Sequence, residues 1–137
     1  MGFSRRRRLT GGGSIRQVAK TVLIVDDHAG FRRFARLVLE AYGFRVVGEA
    51  CDGASAVSAA RRLEPGIVLL DVLLPDADGF AVAGRIVEVC DRTMVVLTSS
   101  REAHEFGTRL EHNSAHAFVH KGDLSGEALA FVTGGVS

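Results

Sequence analysis

Residues 21–27 read TVLIVDD, five apolar or β-branched positions followed by two carboxylates. The run does not alternate, so a strand formed here buries both faces, as the strands of an all-parallel sheet do. What comes next sets the fold class. Phe31, Phe34, Ala35, Val38 and Leu39 recur at helical spacing, Arg32, Arg33, Arg36 and Glu40 fall off that face, and Gly43 supplies the stop. The unit is a buried strand, an acidic turn and an amphipathic helix.

Variants of that unit fill the chain. Residues 44–50, FRVVGEA, read as a short strand, and residues 54–63 place Ala56, Val57, Ala60 and Leu63 on one helical face before Pro65 and Gly66. Residues 67–70 form a third buried strand ending in Asp71, and LLPDADG at 73–79 is loop chemistry. A short helix is expected over 80–89 and a fourth strand over 94–97, ending in Thr98, Ser99 and Ser100. A polar helix is expected over 101–111, a fifth strand over 117–119 before His120 and Lys121, and a last helix over about 125–133 capped by Ser125. Strand and helix alternating about five times predict an α/β fold, a five-stranded parallel sheet with helices on both faces and right-handed crossovers.

Composition bounds what such a fold can do. The 137 residues suffice for one compact domain, 47% hydrophobic and 24% charged, without an apolar run long enough to span a membrane. The formal charge of +1 hides a split: residues 1–20 hold six of the 17 basic residues and no acid, leaving 11 basic against 16 acidic residues in the remainder. Residues 1–19, with Arg5–Arg8 and Gly11–Gly13, are therefore expected to form a flexible basic arm, and residues 20–137 the folded domain. The N-terminus lacks the apolar stretch of a secretory signal. Cys51 and Cys90 lack metal-ligand spacing and are expected to be small core-filling thiols, which fits a cytoplasmic protein.

Polar residues gather where strands end. Asp26 and Asp27 close the first strand, Asp71 the third, Thr98 the fourth, and Lys121 follows the fifth. In an open parallel sheet these ends share one edge, which is where such folds bind ligands. Three carboxylates together repel unless a cation offsets them, and an all-oxygen set with few protein ligands suits Mg2+ better than zinc. A lysine and a hydroxyl beside them favour a phosphoryl group, so the chemistry expected is phosphoryl transfer to Asp71.

Taken together, VLIVDDHAGFRR, IVLLDVLLPDADG, MVVLTSS and AFVHKGD resemble the receiver domains of two-component response regulators over about residues 20–134. The acidic pair, acceptor, hydroxyl and lysine stand 45, 27 and 23 residues apart, from 26 to 71, 98 and 121, close to that family's layout. The resemblance implies a doubly wound flavodoxin-like, CheY-like sheet. It implies Asp71 as phosphoacceptor, and Asp26, Asp27, Asp71 and the backbone carbonyl of Leu73 as Mg2+ ligands. It also implies Thr98 as switch hydroxyl, Lys121 as its phosphoryl-binding partner, Phe118 as a switch aromatic, and Pro75 and Gly79 as loop residues.

The implied activity is acceptance of a phosphoryl group from the phosphohistidine of a sensor histidine kinase or a phosphotransfer protein, followed by switching of a protein-interaction surface. Its readout is a downstream protein target or self-association. The domain is expected to be a signalling acceptor rather than an enzyme acting on others. No DNA-binding helix-turn-helix is visible, so the chain reads as a stand-alone receiver or one truncated from such a regulator. Two alternatives stay open: a magnesium-dependent phosphohydrolase with Asp71 as nucleophile, which Leu73 disfavours because that chemistry wants an aspartate there, and a pseudo-receiver that binds partners without phosphorylation. His28 is expected to open the first helix. Asp76 and Asp78 are assigned to turn geometry, since the glutamate that would close a calcium loop is missing.

Overall fold

The computed structural model of the protein describes residues 20–134; the basic arm expected at 1–19 lies outside the described residues. Five parallel strands, β1 (Thr21–Val25), β2 (Arg45–Ala50), β3 (Ile67–Asp71), β4 (Met94–Ser99) and β5 (Ala117–His120), form one sheet in the order β2-β1-β3-β4-β5. Among the described residues α1 (Ala29–Tyr42), α2 (Gly53–Leu63) and α3 (Gly79–Val89) connect the first four strands, and α4 (Gly126–Val132) follows β5. A 3-10 segment (Ala103–Leu110) stands between β4 and β5, and a short 3-10 turn (Lys121–Asp123) leads from β5 toward α4. This is the doubly wound flavodoxin-like arrangement, whose strand order reverses between β1 and β3.

The non-alternating strands explain both cores. Val22, Ile24, Ile67, Leu69, Val96 and Val119 pack with Ala35 and Leu39 of α1 and with Leu129 and Ala130 of α4. The intervening residues Leu23, Val25, Val68, Leu70, Val95 and Leu97 face Ala56, Val57 and Ala60 of α2 and Val82, Ala83 and Ile86 of α3. Each of β1, β3 and β4 thus serves two layers, and its central residues are almost wholly buried.

Helix ends follow local chemistry. Gly43 closes α1 at φ 113, a left-handed conformation that glycine adopts without a Cβ clash, and Phe44 N–H reaches back to Leu39 O at 3.0 Å. Glu64 closes α2 in the left-handed region at φ 46, just before the Pro65 that bars further helix. Ser125 Oγ accepts from Ala128 N at 2.9 Å and caps α4.

Two expectations change in detail. The polar helix expected over 101–111 is a pair of 3-10 turns broken at Gly107 (φ 59, ψ −139), with no buried residue. Only Phe106 and Leu110 are drawn toward the core, too narrow an apolar stripe to hold a continuous α-helix. Cys90 is buried, its Sγ donating to Ala60 O at 3.3 Å, and burial pushes its thiol pKa up. Cys51 is exposed rather than core-filling, because it follows the last residue of β2 where the chain leaves the sheet. Among the described residues no helix is long and apolar enough to cross a membrane.

Candidate functional site

Strand parity builds the site. Side chains alternate along a strand, so Asp26 continues the face of Val22 and Ile24, Asp71 that of Ile67 and Leu69, Thr98 that of Val96, and Lys121 that of Val119. All four emerge on the α1/α4 side of one sheet edge, at the reversal between β1 and β3 and just beside it. Asp27 is one step out of phase and correspondingly exposed, as is His28.

Distances show how the charges are held. Lys121 Nζ lies 2.5 Å from Asp26 Oδ2 and donates to Asp71 Oδ2 at 3.3 Å. The same ammonium sits 4.5 Å above the Phe31 ring, a cation–π contact supplied by α1. Asp71 Oδ1 accepts from Leu73 N at 3.1 Å. Asp26 is anchored through its backbone, its N–H donating to Ala50 O at 3.0 Å and its carbonyl accepting from Arg32 Nη1 at 2.6 Å. Arg32 and Arg36 each donate to Glu49 at 2.9 Å, which ties α1 to β2. Burial raises the Glu49 pKa, but the two guanidinium groups outweigh it and hold the carboxyl below the usual range.

Asp71 titrates the other way. Burial raises its pKa and the neighbouring Asp26 charge adds to this; the Leu73 N–H and the Lys121 ammonium offset only part. An ionised Asp71 is thus short of compensating charge. Thr98, 1% exposed, has an Oγ1 without a hydrogen-bond partner among the described residues. Native proteins rarely leave a buried hydroxyl in that condition, and an acceptor arriving at the site would satisfy it.

One oxygen or nitrogen each from Asp26, Asp27, His28 and Asp71 lie within 4.8 Å of one another. The three carboxylates form a hard oxygen set open to solvent on the Asp27 side, which fits an octahedral cation that keeps several waters. Leu73, two residues after Asp71, is half exposed. Phe118 is placed differently from the four in-phase residues. Its in-register neighbour is Leu97, so its ring lies on the α2/α3 face, where it meets Phe106 at 6.0 Å. Phe106 in turn packs edge-on against Phe80 at 5.8 Å.

The loop after Asp71 is fixed by residues whose roles motif spacing does not reveal. Asp76 accepts from Gly53 N and Ala54 N at 2.7 and 3.1 Å, and these bonds to the start of α2 lower its pKa. Asp78 accepts from Phe80 N at 2.7 Å as the N-cap of α3 and pairs with Arg109 from the 3-10 segment. Gly79 is required by contact: a Cβ there would stand 2.4 Å from Asp71 O and 2.6 Å from Val72 Cα. The signal for the Asp76 bonds and the Asp78–Arg109 pair is three-dimensional; those partners lie 22 to 31 residues apart in sequence.

A doubly wound sheet with a buried aspartate, an acidic pair, a hydroxyl and a lysine on one carboxyl edge is the arrangement expected of a receiver domain. Comparison agrees: residues 22–129 match the family model described as response regulator receiver domain, and the chain belongs to that family. It is 38% identical over 98 residues to a protein-glutamate methylesterase/protein-glutamine glutaminase of Hahella chejuensis, covering 72% of this chain and 28% of that protein. It is 33% identical over 100 residues to BvgA, named a positive transcription regulator of virulence factors in Bordetella pertussis, covering 73% and 48%. The chain spans about half the length, or less, of these curated relatives. Among solved structures, the signal receiver domain of NarL from Mycobacterium tuberculosis superposes with a TM-score of 0.72 at 30% identity, covering 83% of this chain and 96% of that one. The response regulator domain of Thermotoga maritima CheB gives 0.71 at 25%, covering 82% and 92%.

Proposed function

We propose that residues 20–137 act as a phosphorylatable receiver in which Asp71 accepts a phosphoryl group from the phosphohistidine of a sensor histidine kinase or phosphotransfer protein. The observation that carries this reading is the state of Asp71. It is 3% exposed, backed by the Lys121 ammonium, adjacent to Asp26 and in register with a buried, unsatisfied Thr98 hydroxyl.

An Asp71 carboxylate oxygen attacks phosphorus as the P–N bond of the donor breaks, the nitrogen keeping the electron pair, and an acyl phosphate forms. Lys121 pairs with a phosphoryl oxygen and Thr98 donates to another. Asp26, Asp27, Asp71 and the Leu73 carbonyl would hold Mg2+, which would supply positive charge to offset the phosphoryl oxygens. The receiver turns over no substrate other than its own acyl phosphate. The buried Thr98 hydroxyl moving toward the phosphoryl group biases β4, the 3-10 segment, β5 and α4 between two arrangements. That shift exposes a surface for a downstream protein or a second copy in the cytoplasm.

Incubating the protein with acetyl phosphate in the presence of Mg2+ is expected to add one phosphoryl group by intact-mass measurement. The gain disappears with EDTA or in Asp71→Asn. No Asp71-dependent gain in mass overturns the proposal. Half-exposed Leu73 screens the acyl phosphate from water, so the phosphorylated form is expected to last minutes or longer, and a lifetime of seconds contradicts that part.

A further inference from the structure

The geometry points to His28 as a nitrogen ligand of the acidic site, giving this receiver a preference for borderline transition metals over Mg2+. The inference rests on the cation-binding reading above and adds a donor to it. His28 occupies the N-cap position of α1 at φ −98, ψ 110, yet its side chain does not cap the helix. Instead the imidazole turns to the carboxylates. Nδ1 lies 3.0 Å from Asp26 Oδ1 and 3.1 Å from Asp27 Oδ1, and its backbone N–H donates to the same Asp26 Oδ1 at 2.8 Å.

Those separations are informative. Neighbouring donors around an octahedral cation with bonds of about 2.1 Å stand about 3.0 Å apart. Nδ1 already stands from each of the two carboxylate oxygens at the spacing of adjacent octahedral ligands. Asp71 completes a group of four donors within 4.8 Å. The pocket carries an independent sign that it takes a ligand: Thr98, 1% exposed and in register with Asp71, keeps its Oγ1 without a partner. A ring proton shared with the two carboxylates accounts for the same distances without an ion, and a metal exchanged for that proton leaves the three donors in place.

The chemistry of the donors sets selectivity. Carboxylates and carbonyls suit Mg2+, whereas an added imidazole favours Ni2+, Zn2+ and Co2+ and is accepted by Mn2+. His28 is 69% exposed by side chain, so replacing it leaves the core untouched.

The test compares untagged wild-type protein with His28→Ala and Asp71→Asn, checking fold by far-UV circular dichroism. Titration calorimetry is expected to show Ni2+ affinity falling about tenfold or more in His28→Ala, while Mg2+ affinity changes less than about threefold. Pulsed electron paramagnetic resonance of bound Mn2+ is expected to show nitrogen-14 modulation from a coordinated imidazole in the wild type, and none in His28→Ala. Mn2+ bound in both proteins without nitrogen modulation, or Ni2+ affinity unchanged by the substitution, overturns the role of His28 and leaves the oxygen site standing. No binding of Mg2+ or Mn2+ that depends on Asp71 overturns both readings together.

Discussion

The two edges flanking the sheet's centre are built by different means. From β2 through β3, backbone ladders, the amphipathic helix α1 and the Arg32–Glu49–Arg36 brace fix the acidic residues from several directions. On the β4–β5 side, the 3-10 segment has no buried residue and is attached through single side chains: Arg109 to Asp78 and to the Phe80 ring at 4.3 Å, and Phe106 between Phe80 and Phe118. A rigid seat for chemistry adjoins an element held by a few separable contacts. Low local stability is the property that the proposed change of surface needs.

The sharpest way to break that contrast is to make the same truncation on both sides. Leu39→Ala, in a fully buried position of α1, is expected to cost about 3 kcal/mol in urea denaturation, and Leu110→Ala, half-buried in the 3-10 segment, about 1 kcal/mol. Equal losses would show that the segment is as integral as α1. Next in size is Gly79→Ala. The Cβ would collide with the backbone at Asp71 and Val72, so a loss of about 2 kcal/mol and slower phosphoryl uptake from acetyl phosphate are expected together. Stability lost with uptake unchanged would separate the loop from Asp71.

Asp71 itself tests whether the rigid half stores strain. Its pKa is raised in the folded state, chiefly by burial, so its stabilising contribution is complete below the ordinary value of 3.8 and is lost as pH rises through the higher folded value. Asp71→Asn is therefore expected to melt higher than wild type at pH 7, by a margin that narrows as pH falls toward 3.8. A constant margin would assign the effect to something other than ionisation. The smallest effect is expected on the β4–β5 side: Arg109→Ala should change global stability by less than about 1 kcal/mol, since the ion pair is exposed. Amide exchange in residues 103–110 should nevertheless accelerate by roughly tenfold, as a locally held element would.

How much of this the sequence disclosed follows from the range of each interaction. TVLIVDD, IVLLD and MVVLTS announce buried parallel strands and their polar ends because burial on two faces and strand parity act within a few residues. The convergence of Asp26, Asp71, Thr98 and Lys121 then follows from topology. Contacts between distant segments leave no such trace. Nothing near Asp76 says that it bonds to the start of α2. Nothing near His116 says that its Nδ1 accepts from Val95 N at 3.0 Å, where the ring takes the place of a backbone acceptor at the sheet edge. The broken 3-10 segment was obscured for a different reason: its charges suit a solvated helix, and the decisive event is the left-handed turn at Gly107.

Because the site residues are in phase, strand length is itself a functional quantity. The apolar residues of β1, β3 and β4 can exchange among Val, Ile and Leu at the cost of packing alone. Inserting or deleting one residue within any of these strands would carry its terminal aspartate or threonine through the sheet to the α2/α3 side, dismantling the pocket while the hydrophobic pattern still read as a strand. The chain therefore carries two messages in the same letters, one in which residues are apolar and one in whether their number is odd or even, and the second leaves no latitude.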